Sequence, residues 1–582
     1  MDQEKLDHIR HSAAHMLAAA VMELYPGTKL GIGPTIENGF YYDFEFPENV
    51  SVSDSDLKNI QKKMKKIAGG RHDFIGRKIS VKEAKKIEKD QPYKLELIEE
   101  FAGDGKDLTL YESGPFTDLC RGGHVENTGE IPLDGLKLDR VAGAYWRGDE
   151  KNNMLTRIYG LLFSSKDELK EYLAMREEAK KRDHRKLGKE LDLFTFSDLV
   201  GAGLPLWTPK GTLLRNILDD FVWSLRKEKG YEKVSIPHIT KKELYETSGH
   251  WQKFSDQLFK ITTREGHEFA MKPMNCPHHT QIFDHISRSY RDMPQRYAET
   301  TTCYRDEQTG ELHGLSRVRS FAQDDAHVFC RTSQVKEEFL KIWDIIDIFY
   351  AAVGFGKLDV RLSFHDPAES DKYLGTEEMW SKAESSIRDI ATERGIDFVE
   401  EIGEAAFYGP KVDFMAKDSI GREWQVATIQ LDVNLPERFD LNCINEKGEK
   451  ERVVMVHAAI MGSIERFFSI FIEHHAGAFP LWLSPVQVQF VPVSEKHVDG
   501  AREIANEFRN QNIRVEVDEA DETVGNKIRK AAKQKSPYIL VIGDKELSGE
   551  DWTVRVRGQE EQLTMSKDKF IEKIKSEIEE KK

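Results

Sequence analysis

The sequence predicts a multidomain α+β protein: an N-terminal α+β domain, a central domain that contains an antiparallel hairpin, and a C-terminal α/β domain. Three observations lead there. A charged run at 164–190 has few apolar residues and reads as one long helix between domains, because a helix polar on nearly all sides has no core to face. The stretch 296–330 reads as an antiparallel hairpin, with Thr and aromatics at 297–304, turn chemistry at 308–310 and renewed alternation at 315–321. After Pro480 and Pro485 short apolar strands alternate with helices at 486–491, 498–508, 513–517, 525–534 and 538–542, the pattern of a mostly parallel sheet.

With 582 residues the chain exceeds a single core, so three or four domains are expected, bounded at 1–163, 164–190, 191–482 and 483–582. The formal net charge of −16 excludes a general polyanion binder, whose affinity comes from phosphate neutralisation. Any nucleic-acid contact must use local basic patches. Five scattered cysteines form no disulfide framework and suit a reducing cytoplasm, and no run is long enough to span a bilayer.

In order along the chain, residues 7–24 form a helix closed by Pro26-Gly27, with His11 and His15 four apart on one face. Asp118, Cys120 and His124 follow in a Gly-rich turn. Two readings fit: a reactive or metal-binding pocket, or ordinary helix histidines with a packed thiol. Residues 57–67 make a basic amphipathic helix, and 141–147 is either a base-stacking strand end or a packed one. Residues 212–227 carry a broad apolar helix face, ended by Gly230, and 231–236 a strand ended by Pro237. In the hairpin, Arg305, Glu307, Arg317 and Arg319 suit either phosphate capture or surface ion pairs. Around 453–467 an apolar strand passes into a helix near Gly462, a fair anion site with Arg466 one turn in. Glu465 is the alternative partner of Arg466.

Together these segments resemble the class II aminoacyl-tRNA synthetases, and within them the threonyl family, over essentially the whole chain. The helix, strand and Pro237 look like motif 1, residues 305–319 like motif 2, and Gly462 to Arg466 like motif 3. The resemblance implies a six-stranded antiparallel catalytic sheet flanked by helices, and a homodimer formed through motif 1. It implies one Zn²⁺ per subunit on Cys276 of MNCPHH, His327 of QDDAHVFC and His457 of VMVHAAI. Spacing alone would not have paired these three. It further implies Arg305, Glu307, Arg317, Gln425 and Arg466 for ATP with Mg²⁺, Lys411 beside the adenylate, and Gln323, Asp325, Tyr408 and Gln430 around L-threonine.

A metal that takes both the amino group and the hydroxyl excludes valine. Serine has the hydroxyl and lacks only a methyl, worth about 1–3 kcal/mol, so a second, hydrolytic site is needed. His11, His15, Lys94, Asp118, Cys120 and His124 match that editing pocket for seryl-tRNA(Thr). The family is thought to run it without metal, although alanyl relatives bind zinc through a similar set. Arg529, Glu546 and Arg555 fall at anticodon-contact positions for tRNA(Thr), while Asp521 stands where many relatives have Asn and Ala458 where an Arg is common. The chain begins at the editing helix, so the small ubiquitin-like domain that precedes it in bacterial members is expected to be absent.

Overall fold

The structure is a computed structural model that describes residues 2–103 and 108–581. It forms two compact units, Met1–Glu177 and Glu178–Lys582. Among the described residues no helix is long and apolar enough to cross a membrane.

In the first unit the helix Gln3–Leu24 lies on a five-stranded antiparallel sheet. Among its buried residues are five alanines (Ala13, Ala14, Ala18, Ala19, Ala20) beside the larger Ile9, Met16, Leu17 and Val21, in one core with Phe40, Tyr42 and Phe44 of the strand Gly39–Glu45. Small residues there leave room for those rings. A separate three-stranded sheet, Ile75–Ile79, Leu108–Ser113 and Phe116–Leu119, carries the helices Val81–Ile87 and Pro92–Gly103. The loop that leaves Phe116–Leu119 turns through Gly122 (φ +101°) and Gly123 (φ +81°), which only glycine adopts without strain. That turn sends Cys120 and His124 back toward the first helix.

The second unit is organised by an eight-stranded sheet. In spatial order its strands are Glu232–Lys233, Gln295–Tyr304, Ser320–Cys330, Val454–Ser463, Glu423–Asp432, Lys411–Lys417, Asp359–Phe364 and Phe398–Ile402. The six central strands pair antiparallel, as the resemblance implies, and one parallel strand is added at each edge. Helix Val335–Ala352 packs beneath, where Tyr350 donates to the carbonyls of both Val426 (3.0 Å) and Ile460 (2.9 Å).

Four expectations change. The spacer helix is two helices, Lys166–Arg182 and His184–Glu190, because the Asp183 side chain accepts from the Arg185 amide (2.8 Å) and starts a new one. The edge strand after Gly230 shrinks to Glu232–Lys233. The return strand of the hairpin begins at Ser320, not 315, because residues 305–319 form a loop bent through Gly314 (φ +51°). The C-terminal sheet has five strands, of which Trp552–Val556 and Leu563–Met565 add antiparallel to the parallel set Val515–Val517, Val488–Pro492 and Tyr538–Ile542. It is therefore mixed rather than mostly parallel.

One bulge sets the geometry of the central hairpin. Gln323 pairs with Ser463 but Asp325 with Ala459, so the neighbouring strand holds extra residues at 460–462. Asp324, fully buried, fills the bulge by accepting from the amides of Ile460 (3.1 Å), Met461 (3.1 Å) and Gly462 (3.0 Å), with Arg226 3.6 Å away. Burial pushes its carboxyl up to about 7 against the pull of those partners. Asp324→Ala strands three amides and a buried cation, so it is expected to cost about 3–5 kcal/mol and lower the first thermal transition by several degrees. A scan of the variant beside the parent checks this.

Candidate active site

Period-two alternation puts Gln323, Asp325 and His327 on one face of Ser320–Cys330. His327 faces His457 directly across the strand pair, and His457 faces Gln430 on the other side. Cys276 enters from the first turn of the helix Cys276–Asp284. Cys276, His327 and His457, all buried, offer ligand atoms within 4.8 Å of one another. Nε2 of His327 lies 3.1 Å from Nδ1 of His457. The far nitrogen of each ring is also engaged: His457 Nε2 donates to Asp432 (3.0 Å), and His327 Nδ1 meets His279 Nδ1 at 2.7 Å. Such outer partners fix the tautomer of a metal-bound imidazole.

The donor set fits a zinc ion on its own chemistry. Burial, with Asp325 and Asp432 nearby, pushes the Cys276 thiol well above its usual value, so its thiolate there needs a cation. Burial, then His457 and His279, holds His327 well below the usual histidine range, as a neutral ligand must be. One thiolate and two neutral imidazoles suit Zn²⁺.

Around these three, Asp325 accepts from Asn275 (3.0 Å), Tyr408 donates to Gln430 (2.5 Å), and the Tyr408 ring stacks on His457 with centroids 4.9 Å apart. Lys411 (2.6 Å) and Gln425 (2.6 Å) both donate to Asp413. Arg305 lies near the rings of Phe321 (5.1 Å) and Phe254 (5.9 Å), and no carboxylate pairs with it among the described residues. Burial lowers its pKa. A desolvated guanidinium that no carboxylate pairs directly is suited to an anion. Glu307 accepts from Arg317 (2.8 Å), and Arg319 donates to the Glu307 carbonyl (2.9 Å). Glu465 does not pair with Arg466: it accepts from the Ala322 amide (2.8 Å) and faces Arg215 (3.9 Å), which leaves Arg466 unpaired among the described residues.

In the first unit His11, His15, Cys120 and His124 also gather ligand atoms within 4.8 Å of one another. Cys120 Sγ is 3.3 Å from both His11 Nε2 and His124 Nε2, and Ser12 Oγ is 3.2 Å from His124 Nδ1. Behind them Lys94 and Asp118 form a buried ion pair (2.5 Å), and Tyr42 donates to Asp118 (2.5 Å) while accepting from Lys94 (3.1 Å). Burial depresses the pKa of all three histidines and pushes Cys120 up to about 11. The four are neutral near pH 7, so they offer lone pairs and N–H groups rather than net charge. Of the four, His11, His15 and Cys120 line, with Asp118 and Lys94, a cavity of about 560 Å³.

The anticodon candidates sit on three elements: Arg529 on Val524–Lys533, Glu546 on Asp544–Ser548 and Arg555 on Trp552–Val556. Arg529 donates to Asn526 (2.6 Å) and Glu546 accepts from the Gly543 amide (2.9 Å). Ala458 pairs with Ala326 in mid-sheet, its carbonyl accepting from Arg226 (3.3 Å).

Several site residues escaped the sequence reading. Asp432 and Asp413 lie two residues from Gln430 and Lys411 on the same strands, so the period of two would have placed each beside its neighbour. His250, fully buried with Nε2 3.9 Å from Cys276 Sγ, and Tyr42 come from distant segments and carried no such signal.

An antiparallel sheet that presents an unpaired arginine from a long hairpin loop and a second from a following helix defines the core of a class II aminoacyl-tRNA synthetase. Residues 259–475 match the family described as the tRNA synthetase class II core domain (G, H, P, S and T). Residues 487–577 match the anticodon binding domain, and 108–159 the threonyl and alanyl tRNA synthetase second additional domain. The chain belongs to the threonine–tRNA ligase family. It is 52% identical to the threonine–tRNA ligase of Porphyromonas gingivalis over 572 residues, 98% of this chain and 87% of that protein. It is 50% identical to that of Cytophaga hutchinsonii over 99% of this chain and 89% of the relative. A crystal structure of the RNA binding domain of threonyl-tRNA synthetase from Cryptosporidium parvum Iowa II superposes with TM-score 0.64 and 38% identity, covering 68% of this chain and 98% of that one. A Giardia lamblia prolyl-tRNA synthetase, at 16% identity and TM-score 0.56, shares the fold.

Proposed function

We propose that the protein activates L-threonine with ATP to threonyl-adenylate, transfers it to tRNA(Thr), and hydrolyses mischarged seryl-tRNA(Thr) in its N-terminal unit. The observation that carries this reading is the convergence of Cys276, His327 and His457 on the sheet face that also holds Asp325 and Gln430. Cys276, His327 and His457 would hold the zinc, which when bound supplies a Lewis acid able to take the amino group and hydroxyl of threonine. Asp325, oriented by Asn275, and Gln430, oriented by Tyr408, line the amino-acid pocket, with Gln323 beside them. Arg305 meets the α-phosphate and Arg466 the far phosphates with Mg²⁺. Glu307 and Arg317 hold the adenine end and the bent triphosphate. Lys411 and Gln425, steadied by Asp413, face the developing adenylate. Catalysis is then positioning plus charge stabilisation during in-line attack of the carboxylate.

For the rest of the chain we assign editing to residues 1–163, the interdomain helices to 164–190, the ligase reaction to 191–482 and anticodon binding to 483–582, with Arg529, Glu546 and Arg555 as contacts. A cytoplasmic homodimer formed through the motif 1 helix completes the reading. Amino-acid-dependent ATP–pyrophosphate exchange across the standard amino acids tests it. Exchange is expected with threonine, weakly with serine and not with valine. Exchange driven best by proline, or by no amino acid, sinks the assignment.

A further inference from the structure

A third cluster of ligand-type side chains, Asp183, His184 and Glu473, lies outside both sites. It is not arranged for a metal, because every group is already used. Asp183 is paired with Arg185 (2.5 Å), and Glu473 with Arg422 (2.6 Å). The second Glu473 oxygen accepts from the His184 amide (3.1 Å) and from His184 Nδ1 (2.6 Å). That bond fixes the tautomer and leaves a lone pair on Nε2, which accepts from the Leu315 amide at 3.1 Å. His184 is 1% exposed.

The two ends of this bridge belong to the two segments assigned to ATP. Glu473 lies in the last turn of the helix Ile464–His475, whose first turn carries Arg466. Leu315 lies in the loop 305–319, which carries Glu307 and Arg317 and begins at Arg305. The loop approaches the ring so closely that a Cβ on Gly314 would come within 2.2 Å of His184 Nε2. Arg182 strengthens the grip on the same helix end by donating to the His474 carbonyl (3.0 Å).

We infer that His184 is a positioning residue for the nucleotide, an imidazole strut that holds the motif 2 loop at a fixed separation from the motif 3 helix. The strut rests on the ligase reading above. It touches neither threonine nor the zinc ligands, so its loss acts on ATP alone.

Threonine-dependent pyrophosphate exchange on the full chain tests this with a pair of variants. His184→Asn retains a donor for Glu473 but places no acceptor in reach of Leu315. Its KM for ATP is expected to rise about tenfold, the cost of one stranded buried amide, while the KM for threonine stays within about twofold. His184→Gln carries a carbonyl near the position of Nε2 and is expected to restore the KM for ATP to within about threefold. An unchanged KM for ATP in His184→Asn overturns the strut, as does an equal rise in both KM values. Should His184→Asn not fold, His184→Gln decides alone: a folded protein with a tenfold higher KM for ATP overturns the proposal. Wild-type protein with no threonine-dependent exchange instead overturns the ligase reading, a separate failure.

Discussion

Cys276→Ala is expected to abolish threonine-dependent pyrophosphate exchange and to strip bound zinc from the purified protein. The substitution removes the only anionic donor of the three and leaves His327 and His457, two imidazoles 3.1 Å apart at their facing nitrogens. Loss of an outer partner of a metal ligand already costs 10–100-fold, so loss of a ligand should exceed about a hundredfold. Asp432→Asn supplies the graded comparison, because it weakens the hold on His457 Nε2 (3.0 Å) without touching a ligand. Its zinc affinity should fall by roughly 10–100-fold. Metal content by mass spectrometry, read beside exchange, separates the two variants. Exchange at the parental rate by a zinc-free Cys276→Ala protein rules out the assignment.

How much of this was legible in the sequence depends on whether a feature is local. The first helix, the hairpin, the strand ending in Gly462-Ser463 and the C-terminal alternation carry their own periodicity and turn residues. The zinc set does not: its members come from three elements, and only the sheet register brings His327 opposite His457. The resemblance named that set, whereas no local pattern could. The misplaced start of the return strand has a related cause. Residues 315–319 alternate as a strand would, but Leu315 is buried in the core, where its amide meets His184 rather than a neighbouring strand. Asp324 shows the same limit, since its role depends on a bulge in a strand more than a hundred residues away. Asp413 and Asp432 were within reach of a strict period-two reading.

Editing should fail selectively when His11→Ala is combined with Cys120→Ala: seryl-tRNA(Thr) accumulates while threonine charging persists. These two are the right targets because both are neutral and sit at the mouth of the group, with Sγ and Nε2 3.3 Å apart. Lys94 and Asp118 are not, although they line the same cavity. Each is almost fully buried, and removing one leaves the other charged and unpaired, at a cost of about 3–5 kcal/mol that confuses lost catalysis with lost folding. The pair Lys94–Asp118, braced by Tyr42, is best read as the foundation on which His15 (3.9 Å from Asp118) and the outer groups are set. With His11 and Cys120 gone the pocket loses two groups that orient or deprotonate water, a loss of roughly 10²–10⁴ in hydrolysis rate. Pre-formed seryl-tRNA(Thr) mixed with the double variant reads that rate directly, and threonine-dependent exchange in the same preparation shows that the second unit is intact. If the ester is still cleared at the parental rate, hydrolysis takes place elsewhere in the chain.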